Sequence, residues 1–268
     1  MKAIGVFRER TLAGKPESDE RILKLVGMEL AGKGFEVELK SAEDVEGSEE
    51  TDLVFTMARS EETREKIQEI ERRGAIVVNS PKSVGDSLNR ELSYKRLAEA
   101  GADIPKTNVK PIGRISFKDL QGRNILKRAD RHEEWFVISD EKELEAAVKF
   151  YKNRDAKRIA IQEFVHGEHV KYYVIGRKVI LPEGTERFVK EMKRHALIAG
   201  KATGLEIYGG DFILAEKPFL VDVNDWPSFG SVKGYTQEEA AKEICRYLAA
   251  KAVKLAKHAG RKTVTAED

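Results

Sequence analysis

Two short apolar runs with oxygen-bearing side chains at their ends constrain this chain more than any other feature. They are Gly209-Gly210-Asp211-Phe212-Ile213 and Phe219-Leu220-Val221-Asp222-Val223-Asn224-Asp225-Trp226-Pro227. Each reads as a strand. Asp222 and Asn224 are two residues apart, so on a strand their side chains share one face. The intervening Ala215-Glu216-Lys217-Pro218 can turn the second strand back beside the first, which brings Asp211 near that face. Three hard oxygen ligands without His or Cys suit Mg²⁺, with Mn²⁺ as a substitute, and such an ion is completed by water and substrate phosphates. The pattern points to phosphate-handling chemistry rather than to a zinc or storage site. Spacing alone is equally compatible with a tight hairpin whose terminal acids are solvated.

A length of 268 residues suggests two domains or one elaborate one. With 41% hydrophobic residues the chain can bury a large core and is too apolar for disorder. The 48 basic and 46 acidic residues nearly cancel, which gives no support for a nucleic-acid footprint. No apolar run approaches the roughly 18–20 residues of a membrane span. Met1 leads directly into a strand with no signal-peptide pattern. The single Cys245 cannot form an intramolecular disulfide and reads as a small core residue. A cytoplasmic enzyme with an anionic small-molecule substrate is expected, with no membrane or nucleic-acid partner and homo-oligomerisation left open. The Lys-, Glu- and Arg-rich composition matches the habit of hyperthermophile proteins.

The first region alternates strand and helix: strand 2–7, helix 18–33 with Ser18 as N-cap and Gly34 as stop, strands 35–39 and 52–57, helix 60–73, strand 75–78. This is a parallel α/β unit of the doubly wound kind. Loops after residues 7 and 57 lie at strand C-terminal ends, where such sheets bind ligands. Arg8, Arg10, Arg59 and Ser60 therefore face a candidate substrate crevice, the plainer reading of each arginine being a solvated one. Asn79-Ser80-Pro81 breaks the pattern. A helix over 87–101, strands near 107–109 and 124–127, a loop over 128–134, a strand at 135–138, a helix over 140–152 and a strand over 158–165 follow. A hairpin around Gly176, a helix over 186–203, the acid-bearing strands and a closing helix over 236–258 complete the chain.

Several motifs then fall in a familiar order. Asn79-Ser80-Pro81, Asn89-Arg90-Glu91-Leu92, the run Leu97 to Thr107, Ile125-Leu126-Lys127, Ile161-Gln162-Glu163-Phe164-Val165, Val170 to Gly176 and the Asp211, Asp222 and Asn224 strands together resemble the ATP-grasp fold. The resemblance runs from residue 1 to about residue 250. It implies an α/β architecture with a pre-ATP-grasp substrate domain (1–80), a central lobe (81–163), a C-terminal lobe carrying the metal site (164–260) and a tail (261–268), the last two of the three domains being α+β lobes that clamp ATP. It implies that Lys127 binds a nucleotide phosphate, and that Arg90 does so where the family usually carries Lys. It implies that Glu163, Phe164 and Val165 form the hinge, with Glu163 and Val165 reading adenine through main chain, and that Glu168 reaches the ribose. Asp211, Asp222 and Asn224 would hold one or two Mg²⁺ ions bridging the β- and γ-phosphates.

One segment departs from the family. Where its carboxylate–amine ligases carry a glycine-rich flap, this chain has Arg128-Ala129-Asp130-Arg131-His132-Glu133-Glu134-Trp135. Arg131 and His132 are the side chains that would cover phosphates in place of a backbone cradle, the alternative being a charged surface loop. Two reaction classes follow from the resemblance. The run from Ala98 to Thr107 looks like the glutamate ligases of the fold, whereas Asp130-Arg131-His132-Glu133 and Asp222 to Phe229 look like its inositol polyphosphate kinases. The ligase reading is preferred, the kinase kept as alternative, and a nucleotide-binding protein without catalysis stands third. Arg8, Arg59, Ser60, Arg131, His132, Lys171, Arg187 and Lys233 are candidates for the substrate groove, with Lys171 or Arg187 positioned to stabilise an oxyanion in a ligase.

Overall fold

The structure is a computed structural model; it describes residues 1–130 and 134–258, with side chains to residue 254. Arg131 and His132 therefore lie outside the described residues.

β1 (Lys2–Val6), α1 (Pro16–Gly32), β2 (Glu36–Lys40), β3 (Leu53–Thr56), α2 (Glu61–Arg72) and β4 (Ile76–Val78) build a sheet in the order β2-β1-β3-β4. Every pairing in it is parallel. β3 is buried along its whole length, as a central parallel strand covered on both faces requires. The expected cap at Ser18 is displaced: α1 starts two residues earlier, at Pro16. Proline suits the first helical turn because its φ is preset and no N–H is needed there.

The single helix expected over 87–101 is two, α3 (Pro81–Leu88) and α4 (Arg90–Glu99). Asn89 has φ −80° and ψ 96°, which ends α3, and its side chain accepts the Leu92 N–H at 3.1 Å, which starts α4. Ser80 caps α3 in the same way through Ser83. Buried Asn79 donates to the Ile207 carbonyl (2.7 Å) and accepts from the Glu206 and Ile207 N–H groups. The Asn-Ser-Pro break is thus a junction that ties the end of β4 to a distant strand.

β5 (Thr107–Pro111), β6 (Asn124–Arg128), β7 (Phe136–Ile138), α5 (Glu141–Lys152) and β8 (Arg158–Glu163) form an antiparallel sheet, order β5-β8-β6-β7. α5 covers it through Leu144, Ala147 and Tyr151 packed on Leu126, Ile138 and Ile159. β9 (Glu168–Ile175), β10 (Lys178–Ile180), α6 (Val189–Thr203), β11 (Ile207–Leu214), β12 (Pro218–Asp225) and α7 (Gln237–His258) complete the chain, with a second antiparallel sheet in the order β10-β9-β11-β12. Residues 186–188, expected in α6, form a separate 3₁₀ turn.

Helices cross the boundaries that the sheets define. Val84, Tyr94 and Leu97 of α3 and α4 bury against Met192, Tyr208 and Phe212 of the third region. α7 returns to α1, where Ala240, Ile244, Cys245 and Leu248 pack on Ile22, Leu23 and Val26. Among the described residues no helix is long and apolar enough to cross a membrane.

His195 of α6 is fully buried. Its Nδ1 accepts the Asp103 N–H at 3.2 Å, and its Nε2 lies 3.0 Å from the Asp103 carboxylate. Burial, with Arg194 nearby, lowers its pKa because the charged imidazolium is poorly solvated there. A depressed histidine contributes stability that is intact above the unfolded value of about 6.5 and is lost as pH falls through the folded-state pKa. The urea midpoint is therefore expected to drop between pH 7.5 and 5.5. The drop should shrink in His195→Gln, whose amide does not titrate.

Candidate functional site

A cleft of about 500 Å³ opens between the two antiparallel sheets. Ile125 and Lys127 of β6, Gln162 and Glu163 of β8, and the connection Phe164 to Gly167 line one side. Asp211 and Ile213 of β11 and Val221 and Asp222 of β12 line the other, with Arg90, His169 and Trp135 at its margins.

The β11–β12 register sets the acids. Asp211 stands opposite Asp222, and Gly209 opposite Asn224. The ladder then shifts, pairing Phe212 with Leu220 and leaving Val221 as the extra residue of a β-bulge. Asn224 Nδ2 donates to Asp222 Oδ2 at 3.1 Å. Asp211 Oδ1 lies 2.6 Å from Lys171 Nζ and 3.2 Å from His169 Nε2. Asp211, Asp222 and Asn224 thus meet on neighbouring strands. Among the described residues no group of three His, Cys, Asp or Glu is placed to hold a metal, and the Asn224 amide oxygen is the further oxygen donor beside the Asp211–Asp222 pair. Two carboxylates and an amide oxygen are all hard donors, and this set fits Mg²⁺.

Close backbone approach holds this register. A Cβ at Gly210 would sit 2.0 Å from the Asp222 carbonyl oxygen, and one at Gly167 would sit 2.3 Å from that of Leu214. Neither clash can be relieved by a side-chain rotation. Gly210→Ala is expected to destabilise the fold by about 1–3 kcal/mol, as overpacking does. A lowered urea midpoint checks this, and an unchanged midpoint contradicts it.

Lys127 is 7% exposed. Its ammonium reaches Gln162 Oε1 (2.9 Å), the Val221 carbonyl (3.1 Å) and Tyr94 Oη (3.4 Å). All of these are neutral oxygens, and among the described residues no carboxylate pairs with it. The bulge residue Val221 and the buried Gln162 therefore aim a cation into the cleft without neutralising it, a costly arrangement that an anionic ligand would relieve. Arg90 opens α4, is buried, and donates to the Arg128 carbonyl at 2.8 Å.

In the segment read from the sequence as a hinge, β8 ends at Glu163, two residues short of the expected strand end. The Glu163 N–H bonds to Lys106 and that of Phe164 to Arg123. The Val165 N–H has no acceptor among the described residues and borders the cleft. The Arg123 guanidinium covers the Phe164 ring at 4.3 Å.

Other sequence-based candidates lie elsewhere. Glu168 and Lys233 are exposed and outside the cleft lining. Arg187 is exposed and stacks over Phe188 at 4.8 Å. Ser60 is the N-cap of α2, where its hydroxyl oxygen accepts the Thr63 N–H. Arg8 pairs with Asp19 (3.0 Å) and Arg59 with Asp225 (2.7 Å), as guanidinium groups drawn out of water require counter-charges, and Arg8 also lines the hollow beside Arg10. Arg10 stays exposed beside a separate hollow of about 390 Å³. Sequence reasoning missed Gln162, Trp135, His166 and His169. A polar residue inside the apolar run of β8 was the available signal for Gln162. It also missed fully buried Arg128, which grips Asp130 with two bonds (2.6 and 3.0 Å) at the start of the flap.

No family model matches the chain. A protein of Marinobacter nauticus described as a probable alpha-L-glutamate ligase is 24% identical over 217 residues, 68% of this chain and 69% of that protein. Among solved structures, a RimK domain protein ATP-grasp from Sphaerobacter thermophilus superposes with a TM-score of 0.74 and 16% identity, over 92% of this chain and 99% of that one. A D-alanine–D-alanine ligase from Bacillus anthracis complexed with ATP superposes with a TM-score of 0.75 and 13% identity, over 97% and 100%.

Proposed function

We propose that this chain, which has the fold of the ATP-grasp structures it superposes on, is a Mg²⁺- and ATP-dependent carboxylate–amine ligase. One observation carries the reading: the Lys127 ammonium, which has no carboxylate partner among the described residues, faces the same cleft as the Asp211–Asp222 pair. A phosphate chain satisfies both, its oxygens on Lys127 and Arg90 and its bound cation on the carboxylates. The ATP complex of the Bacillus anthracis ligase supports ATP as the nucleotide. Ile125 and Ile213 line the cleft and would take the adenine ring, and the Val165 N–H would serve its edge.

Bound Mg²⁺ would neutralise charge on the transferred phosphoryl group and orient it; Mn²⁺ fits the same oxygens. A substrate carboxylate oxygen attacks the γ-phosphorus in line, the bond to the β-bridging oxygen breaks, and ADP departs. The amine nitrogen then attacks the acyl-phosphate carbon, phosphate leaves and the nitrogen loses a proton. Lys127 and Arg90 hold the phosphates through both halves. No Ser or Cys nucleophile is needed, because positioning and electrostatics supply the acceleration. The Marinobacter relative is described as a glutamate ligase, and we take an α-amino acid as the amine on that ground. The kinase alternative shares the cleft, but the Marinobacter relative is described as a probable glutamate ligase and the Bacillus anthracis structure is a D-alanine–D-alanine ligase.

Hydroxylamine added with Mg·ATP and a metabolite extract should yield a hydroxamate and free phosphate. A phosphorylated product stable to hydroxylamine overturns the ligase reading. Binding itself has a built-in reporter. Trp135 is 57% exposed at the cleft margin and the only other tryptophan, Trp226, is fully buried. ATP should shift Trp135 emission, and Trp135→Phe should abolish the change.

A further inference from the structure

Arg8 and Arg59 reach across from the parallel sheet to the end of the metal-bearing strand. Arg59, which follows β3, places Nη2 2.7 Å from Asp225 Oδ1 and 3.3 Å from the Asp225 carbonyl. Arg8, which follows β1, donates Nη2 to the Trp226 carbonyl at 2.7 Å. The Arg59 backbone is itself held, since the Glu9 carboxylate accepts its N–H at 3.0 Å and that of Ser60 at 2.9 Å. Glu9, Asp225 and Trp226 are all buried. This network is therefore shielded from water, unlike a surface ion pair that solvent and salt would weaken.

The backbone it grips is strained. Trp226 has φ +28°, a left-handed conformation that a bulky side chain adopts only where its surroundings impose it. The Trp226 N–H bonds to the Ile207 carbonyl at 3.1 Å, so both faces of the peptide are committed. Asn224 lies immediately before this clamped pair, one rigid peptide plane away. Asn224 in turn donates to Asp222.

We propose that Arg59 is a positioning residue for the metal ligands: by holding the Asp225 side chain and carbonyl it fixes Asn224 and, through it, Asp222. The parallel α/β domain thereby sets the metal affinity of a cleft to which it contributes no ligand. This rests on the reading of the cleft as a Mg·ATP site.

The test is Mn²⁺ binding in the presence of ATP, followed by the loss of the free-ion paramagnetic resonance signal, so that turnover is not the readout. Wild type should bind. Arg59→Ala should weaken Mn²⁺ binding roughly 10–100-fold, the effect typical of partners that orient metal ligands. Arg59→Lys, which keeps one contact, should recover part of it. A folded Arg59→Ala protein that binds Mn²⁺ like wild type overturns the proposal. If Arg59→Ala does not fold, Glu9→Gln loosens the Arg59 backbone while sparing its guanidinium, and unchanged Mn²⁺ affinity there overturns it equally. Wild type that binds ATP without Mn²⁺, or neither, overturns the underlying reading instead.

Discussion

Replacing Asp222 by Asn is expected to reduce turnover by about a thousandfold while leaving the protein folded. Metal stabilisation of a transferred phosphoryl group contributes several kcal/mol, and each 1.36 kcal/mol is tenfold in rate. The substitution keeps shape and removes one negative charge. It keeps the strand's own constraints, because the Asp222 backbone pairs with Asp211 and is closely approached by Gly210. Asn224 can still bond to the new amide oxygen at Asn224's present 3.1 Å contact. The loss should therefore fall on catalysis, measured as kcat at saturating ATP, with the urea midpoint nearly unchanged. A variant that keeps most of its activity removes Asp222 from the metal set.

Lys127→Met separates function from stability in the opposite sense. The ammonium is buried among neutral oxygens, and among the described residues no counter-charge offsets its desolvation. Met matches the stem in length and carries no charge. Nucleotide affinity is expected to fall about 10–100-fold, the loss of a charge-assisted bond of roughly 1.5–3 kcal/mol. The ligand-free variant should be no less stable than wild type, as replacement of uncompensated buried charge by apolar surface predicts. Calorimetric titration with ATP and urea unfolding without it give both numbers. A variant with unchanged ATP affinity excludes Lys127 from the phosphate site. One that is markedly less stable shows the ammonium to be structural.

The legible parts of the molecule are those that local chemistry specifies. Apolar runs with period two or with full burial place the strands, and Asp211, Asp222 and Asn224 are close in sequence and joined by a short turn, so their meeting needs only a hairpin. The break at Asn89 was missed because the run around it is helix-favouring on both sides, and only the competing side-chain bond to Leu92 interrupts it. Arg8 and Arg59 follow strand ends as expected, but their contacts to the end of β12 were not legible. Their partners Asp225 and Trp226 lie more than 160 residues away, and strand periodicity carries no information about such contacts. The same holds for Gln162, whose role depends on Lys127 arriving from an adjacent strand. Residues 131–133, which the sequence offered as a substitute for a glycine-rich flap, lie outside the described residues.

The central claim, that a carboxylate is activated as its acyl phosphate, is tested most directly by following oxygen. Carboxylates in a metabolite extract are labelled with ¹⁸O and incubated with the enzyme and Mg·ATP, and the released phosphate is weighed by mass spectrometry. Attack on the γ-phosphorus followed by amine substitution leaves one carboxylate oxygen in the phosphate, so labelled phosphate is the predicted result. Turnover that produces ADP with only unlabelled phosphate, or with the phosphoryl group retained on a hydroxyl, contradicts it.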